Sequence, residues 1–337
     1  MLSQAKMMDR PDVRRPRTSR AGVVTAAALT LAFGMITLLF WWSGLGMNTL
    51  IDRLSRSAVW LLPAIALMAI TQASLSALKW RLVLSAYGTD PDHIPSYGFC
   101  LFYSATSVLV SQFLPVHIAT IAVRSFAAKR FSKISIGRGA ASSLFEQCFD
   151  VLVLLVFGIA TLLTWLVQGN LGIWLGLVFL GLISGYLVLL VLGRLRRIQL
   201  DTSGLFVPLQ KALSLLDSHF SVSLFTPRLT AQLLGLSLLR YLTLIGRTPL
   251  IVIGMGFALP VAEMAQGFTL VQMTQFAAIT PGNLGLQEWT WTGILALRGV
   301  TVLLATEFAL SLRVFGILAN NIGLGLIIAY LWWGRQK

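Results

Sequence analysis

Phe113-Leu114-Pro115-Val116-His117-Ile118-Ala119-Thr120-Ile121-Ala122-Val123-Arg124 sets a proline and an arginine inside an apolar stretch that runs from residue 96 to 128. Glu146 and Asp150 then interrupt a second long apolar run. A counterpart lies near the other end of the chain, Thr280-Pro281-Gly282-Asn283-Leu284-Gly285-Leu286-Gln287-Glu288, followed by Arg313. Ionisable side chains and helix breakers are costly at membrane depth, where water does not satisfy them. They persist where they face a cavity, a partner or a substrate path, so these stretches decide the fold and point to the site.

Composition places the chain in a bilayer. It is 56% hydrophobic and 11% charged, where a soluble domain carries about a quarter charged residues. The formal net charge of +14 fits Lys and Arg gathered in cytoplasmic loops beside anionic headgroups. No basic stripe interleaved with aromatics marks a nucleic-acid surface. Cys100 and Cys148 both lie in apolar surroundings and do not read as a disulfide framework. His93, His117 and His219 lack the spacing of metal ligands. No phosphate-binding glycine loop or nucleophile elbow is present, so neither a cofactor nor a catalytic set is expected.

Six apolar runs are long enough to cross: 22–42, 57–78, 139–167, 172–192, 229–257 and 302–333. Two more, 96–128 and 262–297, are broken at their centres by Pro115 and by Pro281-Gly282. Charge decides how these are counted. If residues 96–114 crossed fully, Lys129, Arg130, Lys133 and Arg138 would lie outside, against the positive-inside rule. A re-entrant hairpin turning at Pro115 keeps them inside, with Lys79 and Arg81 as interfacial charges that end the second span. The expected fold is all-α and polytopic, with six full spans and two re-entrant hairpins in inverted repeats. Eight ordinary spans is the competing arrangement. The expected organisation is a basic cytoplasmic tail over 1–21 and a first membrane half over 22–198. A cytoplasmic linker follows over 199–227, and a second half over 228–337. The run 22–42 lacks a cleavage pattern and reads as a retained span. The linker carries an amphipathic stretch, 205–220, with Leu209, Leu213, Leu216 and Phe220 at helical spacing. Both termini fall on the cytoplasmic side.

Each breaker is followed by opposite charges in mirrored order: Arg124 then Glu146, and Glu288 then Arg313. An inverted repeat would carry these towards one midplane site. Arg124 and Arg313 are expected to bind an anionic headgroup, with Glu146 and Glu288 holding the guanidiniums. Asp150 lies one turn beyond Glu146 on the same face. Arg240 and Arg247 are seven apart on one face and either line the anion path or snorkel to opposite interfaces. Structural ion pairs between helices are the plainer reading of all these charges. Pro281, Gly282 and Gly285 are expected to end helices at mid-membrane and leave anion-favouring donors, or else to make a locally satisfied turn. Gly172-x-x-x-Gly176 and Gly181-x-x-x-Gly185 read as packing motifs within the monomer, without specifying an oligomeric state.

At these residues the chain resembles the lysylphosphatidylglycerol synthase transmembrane-region family, the flippase-like domain of multiple peptide resistance factors. Leu114-Pro115 through Arg124 carries part of the likeness. Ser142-Ser143-Leu144-Phe145-Glu146-Gln147-Cys148-Phe149-Asp150 resembles the family's leucine-glutamate-x-x-x-aspartate helix, and the third stretch is residues 280–288 with Arg313. The first stretch departs from the family pattern, which usually has glycines and an acid between proline and arginine. The resemblance implies lipid translocation in a bacterial-type inner membrane. The implied cargo is an anionic or aminoacylated phospholipid, or a polyprenyl-linked lipid. It implies no lysyl-lipid synthesis by this chain, because the family's soluble transfer domain is not seen in it. Two other functions fit the residues. One is a membrane scaffold for a lipid- or polysaccharide-modifying enzyme. The other is a lipid transferase using Glu146, Asp150 or Glu288 as acid or base.

Overall fold

The computed structural model describes residues 20–86, 94–132, 134–197, 224, 226–276 and 280–333. Among them the chain is helical, with eleven α-helices and no strand. The first part comprises α1 (Arg20–Ser43), α2 (Met47–Ser55), α3 (Leu61–Ala86), α4 (Tyr97–Val110), α5 (Val116–Ser132), α6 (Ile136–Leu166) and α7 (Leu171–Arg197). The second comprises α8 (Pro227–Gly254), α9 (Val261–Met273), α10 (Leu286–Leu297) and α11 (Val302–Trp333). Five helices, α3, α6, α7, α8 and α11, are long and apolar enough to cross a bilayer; a sixth span forms if α1 is counted with α2, bent 92° from it. This is a polytopic helical membrane protein. The expected tail 1–21 and linker 199–227 fall almost wholly outside the described residues, as does the stretch 205–220.

Local chemistry sets the helix ends. The Ser96, Ser135 and Thr226 hydroxyls accept the backbone N–H three residues on, starting α4, α6 and α8. Both broken regions fold back at their prolines. In the first, Arg124 bonds Ser104, and Cys100 packs with Ala127 and Ala128, so α4 and α5 are antiparallel about Pro115. In the second, Gly267 lies against Trp291 and Ile294, so α9 and α10 are antiparallel about Pro281. With 14 and 13 residues, α4 and α9 rise about 20 Å, short of the roughly 30 Å hydrocarbon core. The hairpin reading holds, and the arrangement of eight ordinary spans does not.

The four-helix units α3–α6 and α8–α11 repeat each other. α3 packs on α4 as α8 packs on α9, and α5 on α6 as α10 on α11. Across the units, α4 meets α11 and α9 meets α6. The repeat is inverted, because α3 and α8 are antiparallel. Ala58 N–H at the head of α3 donates to Gly254 O at the foot of α8 (2.7 Å), while Lys79 reaches Ser237. The hairpins therefore approach from opposite sides, and their tips touch: a Cβ on Gly282 would lie 2.9 Å from Gln112 O.

Lipid gives helices little hydrophobic reason to associate, so close packing has to supply it. A buried alanine stripe on α3 (Ala66, Ala69, Ala73, Ala77) lets Gly323 of α11 approach the Ala66 carbonyl to 2.8 Å, measured from an added Cβ. Gly181 and Gly185 of α7 seat Val156 and Leu152 of α6, so the second glycine motif packs within the monomer. The aromatic core joins both units through Phe157, Tyr241, Phe268, Trp291 and Phe308. α1 stands outside the repeat and closes over the second tip. Its Met35 carbonyl accepts from Trp289 Nε1 (2.8 Å), and Trp42 stacks on Trp289.

Candidate functional site

Five ionisable side chains from α3, α5, α6 and α8 form one buried network. Arg124, 1% exposed, pairs with Glu146, donates to Ser76 Oγ (2.8 Å) and Ser104 Oγ (2.9 Å), and stacks over Trp80. Ser76 in turn donates to Glu146 Oε1 (3.2 Å). Lys79, fully buried, donates to Asp150 Oδ1 (2.5 Å) and Ser237 Oγ (2.9 Å), and lies 3.6 Å from Glu146. Arg240 Nη1 holds the other Asp150 oxygen at 2.7 Å. Three cations thus face two carboxylates. Buried charges of this kind are tolerable only when paired and hydrogen-bonded, and these are.

The network borders a cavity of about 90 Å³, enough for several water molecules, between the two repeat units. Glu146, Asp150 and Arg240 line it, with His117, Gln147, Gln272 and Gln275. His117 Nδ1 lies 2.5 Å from Gln147 Oε1, and Gln275 donates to Gln272. Arg240 is the one arginine among the lining residues, with 23% of its side chain exposed and its Nε buried without a partner. The site can present a guanidinium and several amides to a small polar or anionic group. Among the described residues, no group of three or more His, Cys, Asp or Glu is placed to hold a metal.

The second charge pair does a different job. Arg313 pairs with Glu288 and donates to Gly282 O and Asn283 O, both at 2.9 Å. Glu288 reaches back to the Gly285 N–H (2.7 Å). Gly282 and Gly285 supply the positive φ angles, 56° and 87°, that the turn after Pro281 requires. The tip satisfies its own backbone at these groups, so the expected free donors at Gly285 are not available to an anion.

The four arginines have separate partners among the described residues. Arg124 and Arg240 join a single network, Arg313 clamps the second tip, and Arg247 of α8 donates to Asn320 Oδ1 on α11 (3.2 Å). The expectation for Lys79 is corrected: it is no interfacial charge but the centre of the network, while Arg81 is exposed. A polar stripe of Gln72, Ser76 and Lys79 at helical spacing was the signal for it. Sequence reading also missed Arg53 of α2, which pairs with Glu307 of α11 at 2.7 Å and lies over Phe257.

No curated protein matches the chain at a significant level. The family model described as lysylphosphatidylglycerol synthase TM region does, over residues 24–325. That range holds both hairpins, the five-residue network and the Glu288–Arg313 clamp, and relates the chain to membrane proteins of lipid modification or flipping. The chain belongs to the lysylphosphatidylglycerol synthase TM region family.

Proposed function

We propose that this protein is a lipid translocase of a bacterial-type cytoplasmic membrane, with its termini on the cytoplasmic side. Its cargo is an anionic or aminoacylated phospholipid, or a polyprenyl-linked lipid. One observation carries the reading: a cavity lined by Arg240, Glu146, Asp150 and several amides sits between two inverted units, beside helices that break at mid-membrane. Inverted repeats with broken helices are a recurrent transporter design. A polar cavity buried in apolar helices has no structural purpose that a packed core would not serve at lower cost.

In this mechanism Arg240 meets the phosphate, because its guanidinium reaches the cavity and its Nε has no protein partner. Asp150 shares itself between Lys79 and Arg240, so it can follow Lys79 when the phosphate takes Arg240. Arg124 and Glu146 act one step back by fixing α5 against α6 and α3. Arg313 and Glu288 hold the second tip rigid while the units rock. The acyl or polyprenyl chains stay in lipid.

Two measurements test this in order. Mass spectrometry of copurified lipid names the cargo, and reconstituted vesicles then report its movement between leaflets. Arg240→Gln is expected to slow that movement at least about 10-fold, the loss of one charge-assisted contact. Translocation by Arg240→Gln at the wild-type rate would overturn the site. A pure wild-type protein that moves none of its copurified lipid would overturn the function.

A further inference from the structure

We propose that Arg247 and Asn320 form a second anion site, for the phosphodiester of a lipid headgroup, in series with the central cavity. The argument starts from neutralisation. Six carboxylates lie among the described residues, and five are committed to other cations: Asp52 to Arg56, Glu146 to Arg124, Asp150 to Lys79 and Arg240, Glu288 to Arg313, and Glu307 to Arg53. The sixth, Glu263, lines a separate cavity at the α6–α7 turn. Arg247 thus has no carboxylate within 4 Å among the described residues. Its one hydrogen bond is to Asn320 Oδ1 (3.2 Å), and its Nε is buried without a partner. An arginine inside a spanning helix is costly unless it meets a counter-charge. The described residues supply none here, and the surrounding solvent is lipid, whose own anion is a phosphodiester.

The neighbourhood fits that occupant. Asn320 and Asn321 stand near the middle of the 32-residue α11, and Asn321 is exposed there, donating to Gln112 Oε1 of the first hairpin tip (3.2 Å). Gln112 Nε2 and Thr248 Oγ1 are buried and unpartnered. An exposed asparagine at mid-helix marks a polar opening where an ordinary span would present leucine. Arg247 lies seven residues beyond Arg240 on one face of α8, about 10 Å along the axis. A headgroup leaving Arg240 therefore finds its next cation one short step away. The cargo of this site rests on the translocase reading; its anion chemistry does not.

The test is binding without transport. Purified protein in neutral detergent is titrated with submicellar dioctanoyl phosphatidylglycerol, and separately with inorganic phosphate, following the melting temperature. Wild type is expected to be stabilised by the lipid. Arg247→Gln is expected to weaken its apparent affinity at least 10-fold and Arg247→Lys less. Asn320→Ala, a milder change should Arg247→Gln not fold, is expected to weaken it about 3-fold. Affinity in Arg247→Gln or Asn320→Ala equal to wild type would overturn the site and leave Arg247 as a snorkelling cation. Equal potency of inorganic phosphate would overturn the lipid assignment. If these losses appear while vesicles show no translocation, the anion site stands and the translocase reading falls.

Discussion

At the scale of single residues, the buried network is unbalanced, and that imbalance makes it testable. Lys79, Arg124 and Arg240 face only Glu146 and Asp150. Glu146→Gln leaves three cations around one carboxylate, so it should destabilise the protein by about 3–5 kcal/mol, the usual cost of orphaning a buried charge. Lys79→Met instead leaves two cations against two carboxylates, each still in its own pair. It should cost clearly less, despite removing a fully buried side chain. Melting of the two purified variants side by side checks the order, and a greater loss for Lys79→Met would refute the charge argument. The pairs Arg124–Glu146 and Glu288–Arg313 were legible in the sequence because their order mirrors about the two prolines. Lys79 was not. A lysine near the end of an apolar run looks the same whether it meets headgroups or an aspartate 71 residues away, and only its stripe with Gln72 and Ser76 separates the cases.

At the scale of elements, the hairpins are set by their breakers. The short helices α4 and α9 stop at Val110 and Met273, Pro115 and Pro281 open the returning segments, with Pro115 O accepting from the Ala119 N–H of α5 (2.9 Å), and residue-level charge rules already favoured the fold-back. What sequence could not give is where the tips go, because contact between Gln112 and Gly282 depends on two units packing around α3 and α8. Gly282→Ala tests that contact. The added methyl would be 2.9 Å from a backbone carbonyl, which cannot rotate away, and the residue already has φ +56°. Gly256→Ala is the matched control, with φ +65° and nothing within 4 Å. The control should lose about 1–2 kcal/mol to the left-handed backbone alone. Gly282→Ala should lose that plus about 1–3 kcal/mol of overpacking. Equal melting temperatures for the two would mean the tips do not touch in the membrane. The turn itself was half legible: a break in this region was readable, but the helix ends at Met273, before Pro281, and the Glu288 and Arg313 bonds that silence the turn's backbone were not readable.

At the scale of the whole molecule, the inverted repeat makes a topological demand. Both ends of the first hairpin must face one side, and both ends of the second must face the other. Ser96 and Lys129 mark the first pair, Ala262 and Leu297 the second, and each is near a helix end. Single cysteines at these positions, with Cys100 and Cys148 replaced by serine, can be labelled in intact spheroplasts with a membrane-impermeant thiol reagent. Ala262→Cys and Leu297→Cys should react before lysis, while Ser96→Cys and Lys129→Cys should react only after it. Spanning segments in place of hairpins would split each pair between the two conditions. The charge pattern supports the same orientation, since Lys129, Arg130 and Arg138 cluster at the mouth of the first hairpin and the second has only Glu263 and Arg298 near its own. That asymmetry bears on direction. On the proposed translocase route, a headgroup drawn by the basic mouth would enter beside α5, meet Arg240, and then have Arg247 ahead of it. Neutralising the basic mouth with Lys129→Gln and Arg130→Gln should therefore slow loading from the cytoplasmic leaflet and leave loading from the outer leaflet unchanged. Vesicles with lipid labelled in one leaflet at a time would measure this, and equal slowing from both sides would remove the mouth from the path.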